Sequence, residues 1–277
     1  MSTVIATDLD GTVLFSERAM AAGATRPDPA DLVPVDIDGD RTYAYMTTAT
    51  AARWAELAAA GVVVPATTRS VPQYLRLRLP GRAPSLAIVC NGARLLVDGE
   101  SDPVWERQVR RNMAAAAATF DAVWQQGVDW HGRRGFAAVR AVEDFFLYLT
   151  VETREAWLPD FAAEAGEWAG ACGWRVSLQG RKLYLLPSSL DKAAAVAHVA
   201  ERLAADRVVA GGDSLLDADM LRAADAAIRP AHGELHLTGF TVPHCRTTAS
   251  AGAAAGDEIV RWYGEQTIDR PTSTASR

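Results

Sequence analysis

The sequence predicts an α/β protein with a doubly wound, mostly parallel sheet and an inserted α+β cap. Short apolar strand patterns alternate with helical segments at both ends of the chain, which is typical of a parallel sheet covered by helices. Between them, over residues 93–186, a helix followed by two strands occurs twice, which indicates an antiparallel sheet with helices on one face. The parallel pattern resumes afterwards, so we expect the middle unit to be an insertion.

Length and composition exclude several classes of protein. Of the 277 residues, 49% are hydrophobic, which is enough for one large core or two modest ones. The net charge of −6 argues against binding to a nucleic acid polymer, which needs a basic face. No apolar run approaches the roughly 20 residues that span a bilayer. The chain starts without signal-peptide features, and its three cysteines are widely spaced. We therefore expect a cytoplasmic protein that does not bind membranes.

The first third of the chain is predicted to supply three buried strands of the parallel sheet, at residues 4–6, 62–64 and 86–89. Each is a short apolar run, as in strands that are covered on both faces, and the first of them is rich in β-branched residues. The first run ends just before Asp8, and the third ends before Asn91. Polar residues therefore follow the carboxyl ends of these strands.

The segment between the first two strands is predicted to contain a loop, a hairpin and a helix. Residues 16–34 are polar and rich in Pro and Gly, as in a loop. Residues 33–47 alternate as in a β-hairpin, with a turn signal at residues 38–39. Either Thr47 or Thr48 can cap a helix that runs to about Ala60.

The predicted cap follows from a change of pattern after residue 93. Its predicted elements are a helix at 105–126, strands at 135–142 and 144–152, a helix at 154–171, and strands at 174–179 and 181–187. We place the core in residues 1–92 and 187–265 and the cap in residues 93–186, with hinges near 91–94 and 186–188. The polar residues 266–277 are expected to form a disordered tail.

The last part of the chain resumes the alternation of helix and strand. Ser188 or Ser189 can cap a helix that ends near Ala205, and strands are predicted at 207–210 and 226–228. These elements complete the parallel sheet that the first third of the chain begins.

Four short polar segments are predicted to meet at one edge of this sheet. They are residues 8–12, residues 67–69, Lys192 and residues 212–217. The carboxyl ends of parallel strands form the ligand crevice of an open sheet, so four aspartates and a lysine should converge there. Carboxylates that are confined together need a cation to neutralise them, and ligation by oxygen alone favours Mg²⁺.

These segments resemble the motifs of the haloacid dehalogenase-like (HAD) phosphatases. DLDGT at residues 8–12 resembles the first motif, ATTR at 66–69 the second, Lys192 the third and GDSLLDADML at 212–221 the fourth. The insertion and CNGA at residues 90–93 are similar to the Cof-like, sucrose-phosphatase-like branch, which has a large αββαββ cap. The resemblance covers about residues 3–265 and implies a Rossmann-like core of the HAD type.

The resemblance implies a role for each matched residue. Asp8 would be the nucleophile that forms an aspartyl-phosphate. Asp10 would protonate the leaving oxygen and then take a proton from the attacking water. The carboxylates of Asp8 and Asp213 and the backbone carbonyl of Asp10 would bind Mg²⁺. Asp217 would support the metal through water or orient Lys192.

Other residues would contact the substrate. Thr67 and Lys192 would hold the non-bridging phosphate oxygens, where charge must be stabilised. Thr68 and the amides of Gly11 and Thr12 are further candidates for phosphate binding. The basic candidates for contact with the substrate are Arg69, Arg181 and Lys182.

The implied function is Mg²⁺-dependent hydrolysis of a small phosphomonoester, with a phosphorylated sugar or polyol first and a nucleotide-like phosphate second. One departure affects the rate, because Leu216 stands where the family often has Asn. A phosphomutase on hexose phosphates, a non-catalytic phosphometabolite sensor and a phospho-accepting signalling domain remain as alternatives. A sensor derived from an enzyme would lose its nucleophile, whereas Asp8 and Asp10 are both present.

Each segment also has a plainer interpretation. The first motif is compatible with a strand-to-turn element, and residues 67–69 with a helix cap. Asp213 is compatible with a helix cap that places Asp217 on a solvated face. Lys192 opposes the helix dipole, which Asp191 would offset. The five histidines have no metal-binding spacing and are expected on the surface.

Overall fold

A computed structural model describes residues 2–20 and 26–267 and confirms the mixed α/β class. The predicted tail at 266–277 lies outside the described residues, except that 266 and 267 end the last helix. The strands are β1 Thr3–Thr7, β2 Leu32–Asp38, β3 Arg41–Thr47, β4 Val63–Pro65, β5 Leu86–Val89, β6 Arg94–Val97, β7 Glu100–Ser101, β8 Ala138–Val142, β9 Phe146–Thr150, β10 Trp174–Gln179, β11 Lys182–Pro187, β12 Arg207–Gly211, β13 Ala226–Arg229 and β14 Cys245–Thr247. The helices are α1 Glu17–Met20, α2 Thr48–Ala59, α3 Val71–Leu75, α4 Pro103–Ala116, α5 Phe120–Arg134, α6 Leu158–Ala171, α7 Lys192–Arg202, α8 Ala218–Ala223, α9 Gly233–Leu237 and α10 Ala253–Thr267.

The core sheet is parallel and has the order β14-β13-β12-β1-β4. A single parallel bridge between Ala66 and Ile88 adds β5 beside β4. The central strand β1 shows why both faces are covered. Ile5 packs into a cluster with residues of α2 and α10, whereas Val4 and Ala6 pack with residues of α7 and α8. Helices on both faces make the sheet doubly wound, as predicted.

A second sheet, which we call the cap sheet, is antiparallel with the order β10-β11-β9-β8. The helices α5 and α6 pack on it. The four strands match the predicted pairs of strands closely, and β10 coincides with the predicted range 174–179. No helix within residues 2–20 and 26–267 has the length and apolar character to cross a membrane.

The predicted hairpin is β2 and β3, and it leads directly into α2. Of the two candidate caps, Thr47 is the one used, because its hydroxyl accepts a hydrogen bond of 3.0 Å from the amide of Thr50. The helix ends at Ala59, one residue before the predicted end.

The single helix predicted at 105–126 is wrong, because α4 and α5 are separate. Ala117 is extended, and Thr119 caps α5. Hydrogen bonds from β10 and the end of α6 hold the break open. The indole of Trp174 donates to the carbonyl of Ala118 at 2.9 Å, and the amide of Ala118 donates to the carbonyl of Cys172 at 2.8 Å. Tertiary contacts thus outweigh the helix propensity of the alanines.

The predicted cap of α7 is also wrong. Asp191, not Ser188 or Ser189, caps the helix by accepting a hydrogen bond of 2.8 Å from the amide of Ala194. The serines lie in a turn in which the amide of Leu190 bonds to the carbonyl of Pro187. A later start shortens the helix and makes Lys192 its first residue.

Residues 94–101 link the two sheets. They form β6 and β7, and β6 pairs with β5 of the core. The indole of Trp105 at the start of α4 donates to the carbonyl of Gly92 at 2.9 Å. These residues therefore pack on the core, while the division of the chain at residue 93 remains a prediction.

Candidate active site

The candidate site lies at the carboxyl edge of the core sheet, where β1 and β12 end side by side. Asp8 follows β1, and its amide donates to the carbonyl of Gly211 at 2.8 Å. The side chain of Asp8 is buried, with 5% of the residue exposed. Asp213 and Asp217 follow β12, and Lys192 enters from the start of α7. Of the four aspartates that were predicted to converge with the lysine, these three do so in the structure, and the carboxylate of Asp10 is not part of their cluster.

Lys192 joins two of these carboxylates. Its Nζ lies 2.6 Å from Asp8 Oδ1 and 2.6 Å from Asp217 Oδ1, and the residue is only 1% exposed. Burial opposes the charge of a lysine, but the two carboxylates outweigh it and raise the pKa of Lys192. The ammonium is thus fixed in its charged form beside Asp8.

A turn of the core sets the position of Lys192. Gly92 has a φ of +100°, and a Cβ placed there would lie 2.2 Å from the carbonyl oxygen of Asp191. Only glycine lets the turn at residues 90–93 approach the start of α7 this closely. The side chain of Asn91 also donates to the carbonyl of Leu190 at 3.4 Å.

Asp217 is fully buried and saturated with hydrogen bonds. Besides Lys192 on one oxygen, its Oδ2 accepts from the amide of Asp213 at 3.2 Å. The same oxygen accepts from the amide and hydroxyl of Ser214, at 3.0 and 2.9 Å. Asp217 is therefore placed to orient Lys192 and to order the loop after β12.

The three carboxylates form a compact oxygen cluster. Asp8, Asp213 and Asp217 each offer an oxygen, and these atoms all lie within 4.8 Å of one another. Burial raises the pKa of Asp8 to about 7, with Lys192 opposing this and Asp217 adding to it. Burial, then the charges of Asp8 and Asp217, raise the pKa of Asp213 well above its usual range. A hard divalent cation would relieve this repulsion, so the donor set fits Mg²⁺.

Gly11 lets the first motif pass close to this cluster. Its φ is +85°, and a Cβ at this position would lie 2.6 Å from Asp213 Oδ2. Any side chain here would strain the turn and displace the carboxylate of Asp213.

In the first motif, the amides that were predicted to bind phosphate are not the ones that lack a hydrogen-bond partner in the described part of the chain. The amides of Gly11 and Thr12 donate within the turn, to the carbonyls of Leu14 and Leu9. The hydroxyl of Thr12 instead donates to Asp8 Oδ2 at 3.3 Å. The amides of Leu9 and Asp10 donate no hydrogen bond among the described residues. Sequence reasoning missed these two, because it could not tell how the turn uses its own amides.

The two threonines of the second motif lie at different depths. Thr67 is fully buried, and its hydroxyl accepts from the amide of Arg69 at 3.2 Å. Thr68 reaches the wall of the cleft above the carboxylates. The structure thus brings both close to the first motif but exposes only Thr68.

Arg69 forms a network that the sequence did not indicate. Its Nε and Nη2 each donate to the carboxylate of Asp10 at 2.7 Å, and its Nη1 donates to Asp36 at 2.6 Å. Asp36, on β2, is 2% exposed and also accepts from Arg76 at 2.8 Å. Burial would raise the pKa of Asp10, but Arg69 outweighs it and lowers that pKa. No spacing in the sequence links the hairpin to the second motif.

A cleft of about 1280 Å³ lies above the cluster, between the core and the cap sheet. Asp8, Asp10 and Asp213 line one wall. Arg181 and Lys182, for which the resemblance suggested contact with the substrate, line the opposite wall, and that contact stays a prediction. The side chain of Asp10 is 49% exposed, which leaves it open to groups that enter the cleft.

His232 differs from the expectation that the histidines lie on the surface. His232 is not a surface residue, because its Nε2 lies 2.8 Å from the carbonyl of Gly11 and its Nδ1 accepts from the amide of Gly252. It supports the turn of the first motif.

Leu216 is buried in the core at 3% exposure, so its position offers no polar group to the site.

The fold is similar to those of several solved phosphatases, one of which belongs to the HAD superfamily. Sucrose-phosphatase from Synechocystis, solved with sucrose and phosphate, has a TM-score of 0.63 at 14% identity, covering 95% of this chain and 98% of that chain. A HAD subclass IIB sugar phosphatase has a TM-score of 0.57 at 13% identity, covering 95% and 99%. A trehalose-6-phosphate phosphatase related protein has a TM-score of 0.56 at 16% identity, covering 96% and 100%.

By sequence, no family model and no curated protein matches this chain. The structural likeness, at such low identity, establishes the fold alone. The chemistry therefore has to be inferred from the residues of this chain.

Proposed function

We propose that this chain is a Mg²⁺-dependent phosphatase that cleaves a small phosphomonoester through a phosphorylated Asp8. One observation carries the proposal. Asp8 is buried at the floor of a large cleft, with Lys192 on one carboxylate oxygen and the hydroxyl of Thr12 on the other. A structural aspartate has no need of a cleft, and a nucleophile requires one.

Mg²⁺ fits the donor set that the chain offers. The carboxylates of Asp8 and Asp213 and the backbone carbonyl of Asp10 would hold it, with Asp217 in support through Lys192 and the loop. When bound, the ion supplies neutralisation of the charge on the transferred phosphoryl group. Burial and the repulsion from Asp8 and Asp217, which together raise the pKa of Asp213, support a cation at this place.

The residues of the chain perform two displacements. An oxygen of Asp8 attacks phosphorus, and the bond from phosphorus to the leaving oxygen breaks as Asp10 gives that oxygen a proton. Asp10 then removes a proton from water, which attacks the phosphorus of the phosphorylated Asp8. The bond from phosphorus to the Asp8 oxygen breaks, which releases inorganic phosphate and restores Asp8 as a carboxylate and Asp10 as the protonated acid.

The phosphate would be held by groups beside Asp8 at the floor of the cleft, of which Lys192 and Thr67 are almost fully buried. Lys192 and the free amides of Leu9 and Asp10 supply donors beside Asp8, and Thr67 and Thr68 supply hydroxyls from the second motif. Arg69 pairs with Asp10 and favours its ionised form, which suits the removal of a proton from water. An entering phosphate competes for Arg69 and so favours protonation of Asp10 for the first displacement.

A phosphorylated sugar or polyol is the first substrate class to test, because the solved relatives include a sucrose-phosphatase and a sugar phosphatase. A nucleotide-like phosphate is the second. The experiment is a screen for phosphate release over sugar phosphates and nucleotides with Mg²⁺, with wild type and Asp8→Asn in parallel. Release by wild type alone, abolished by EDTA and restored by Mg²⁺ more than by Ca²⁺, is the expected result.

Other outcomes of the screen identify the alternatives. Isomerisation of a hexose phosphate without phosphate release would indicate a phosphomutase. Binding without turnover would indicate a sensor, and stable phosphorylation of Asp8 would indicate a signalling domain. Equal release by wild type and Asp8→Asn would contradict the proposal.

A further inference from the structure

The cap sheet has two chemically different faces. Side chains alternate between the faces of a strand, and one face carries a set of leucines that is fully buried. These are Leu147 and Leu149 on β9 and Leu183 and Leu185 on β11. Because α5 and α6 pack on the cap sheet, this apolar face is the one that they cover. The residues between the leucines must therefore face the other way, toward the cleft.

The register of the strands aligns the residues of this second face in rows. Arg140 lies opposite Tyr148, and Tyr148 lies opposite Tyr184. In the adjacent row, Thr150 lies opposite Lys182. All five residues line the cleft. The side chains of cross-strand neighbours lie about 5 Å apart. Arg140 and Lys182 therefore both lie beside the aromatic pair of Tyr148 and Tyr184.

The charges on this face are of one sign. The four strands of the cap sheet contain no Asp or Glu. Arg140 and Lys182 form no ion pair among the described residues, whereas Arg69 on the opposite wall pairs with two carboxylates. Lys182 Nζ instead lies 5.1 Å from the centre of the Tyr148 ring and 5.9 Å from that of Tyr184.

The neighbouring carboxylates are already engaged or lie outside the strands. In the turn between β8 and β9, Glu143 pairs with Arg94, and Asp144 pairs with Arg110. Glu152 follows β9 at the edge of the cleft, where its backbone carbonyl accepts from Arg181. The cationic side chains of the cap face therefore remain available to a ligand.

We infer that the leaving group of the substrate carries a second anionic group, a carboxylate or a second phosphate, which Arg140 and Lys182 bind from the cap wall of the cleft. This inference rests on the proposed phosphatase function, since it concerns the leaving group of that reaction. The guanidinium of Arg140 matches the two oxygens of a carboxylate or phosphate, and Lys182 adds a point charge. Tyr148 supports Lys182 through its ring.

The test compares pairs of substrates that differ in this group. Sorbitol 6-phosphate has an uncharged leaving group, and 6-phosphogluconate has a carboxylate in place of its terminal alcohol. Fructose 6-phosphate is likewise uncharged in its leaving group, and fructose 1,6-bisphosphate adds a second phosphate. Glycerol 3-phosphate and 3-phosphoglycerate give a shorter pair. We expect kcat/KM to be at least roughly tenfold higher for one of the doubly anionic substrates, and the preferred one identifies the group.

Variants of the full-length, Mg²⁺-loaded enzyme assign the effect. Arg140→Gln should reduce the ratio of kcat/KM for the anionic substrate over its neutral partner by roughly tenfold, and Lys182→Gln should do so independently. Arg133→Gln is the matched control, because Arg133 is an exposed cap arginine that pairs with Asp129 on α5 and should leave the ratio unchanged. Calorimetry with Asp8→Asn, which does not turn the substrates over, compares the affinities for the anionic substrate and its neutral partner directly.

The outcomes separate this inference from the function on which it rests. If neutral and doubly anionic esters are hydrolysed equally well, or if Arg140→Gln and Lys182→Gln leave the ratio unchanged, the inference is overturned while the phosphatase function stands. If no ester is hydrolysed, p-nitrophenyl phosphate included, the proposed function fails and the inference fails with it.

Discussion

The guanidinium of Arg69 donates two hydrogen bonds of 2.7 Å to the carboxylate of Asp10. This ion pair links three parts of the chain, because Arg69 follows β4, Asp10 follows β1, and the third nitrogen of Arg69 reaches Asp36 on the hairpin. Asp36 is almost fully buried, so it fixes the guanidinium in one position. The hairpin thereby contributes to the geometry of Asp10 without contacting it.

Replacing Arg69 by Gln is expected to raise the pKa of Asp10. The positive charge of Arg69 favours the carboxylate, and after its removal burial, which favours the protonated form, would be opposed only by the weaker influence of Lys182 and Lys192. Carbon-13 NMR titration of the Asp10 carboxyl measures this shift. Arg78→Gln is the control, since the guanidinium of Arg78 forms no ion pair with Asp10 or Asp36 among the described residues, while Arg69 pairs with both. An unchanged pKa in Arg69→Gln would show that the ion pair is absent in solution.

The metal-free protein is expected to gain stability when Asp213 is replaced by Asn. The pKa of Asp213 is raised in the fold, so between its ordinary value near 4 and its folded value the native state holds a proton that the unfolded chain has lost. Its contribution to stability therefore falls as the pH rises through this range. Urea unfolding in EDTA at several pH values should show Asp213→Asn more stable at pH 7, by about 1 kcal/mol or more, and with a less negative pH slope.

Mg²⁺ should make wild type more stable than Asp213→Asn, the reverse of their order in EDTA. A cation that binds only the folded state stabilises it by about 2.7 kcal/mol at one hundred times its Kd, and Asp213→Asn removes a ligand. Wild type should therefore rise in Tm with added Mg²⁺, while Asp213→Asn should respond weakly. An equal response of both proteins would place the cation elsewhere.

Gly11→Ala is expected to disable the site, whereas Gly61→Ala should not. Both glycines have a positive φ, so both substitutions strain the backbone by about 1 kcal/mol or more. They differ in space, because a Cβ at Gly61 meets nothing within 4 Å and a Cβ at Gly11 meets Asp213. Mg²⁺ titrations followed by calorimetry should show lost affinity in Gly11→Ala alone. Equal affinity in both variants would remove Gly11 from the account of the site.

Much of the fold could be predicted because its signals are local. Short apolar runs gave the strands of the core, and the alternation at residues 33–47 gave the hairpin. The prediction failed where distant contacts decide. The break after α4 depends on hydrogen bonds of Ala118 with Trp174 and Cys172, which no local propensity reports.

The candidate site likewise contains residues that the sequence could predict and residues that it could not. Asp8, Lys192 and Asp217 could be predicted to meet because each follows a strand or begins a helix at the same edge of the sheet. Asp36 and His232 were missed, because their roles depend on how the hairpin and the turn before α9 fold back onto the first motif. Short polar residues in such loops give no periodic signal.

Asp10→Asn should reduce activity to an extent that depends on the leaving group. Its backbone carbonyl remains, so metal binding should survive while proton transfer fails, a loss of about 10²–10⁴-fold. The loss should be large for a sugar phosphate, whose alkoxide needs a proton, and small for p-nitrophenyl phosphate. The measurement is kcat/KM of wild type and variant on both substrates. Equal losses on the two would contradict the assignment of Asp10 as proton donor.

The central claim is that Asp8 accepts the phosphoryl group, and trapping that intermediate tests it most directly. Asp10→Asn should slow the attack of water, so acid-quenched reactions with p-nitrophenyl phosphate and Mg²⁺ should accumulate phosphorylated protein. Mass spectrometry of the digested protein should then find one added phosphoryl group on the peptide that contains Asp8. Asp8→Asn should carry no such group and should lose at least about three orders of magnitude in kcat/KM, or roughly 4 kcal/mol of barrier. Near-wild-type turnover by Asp8→Asn, or a phosphoryl group on any other residue, would contradict the account.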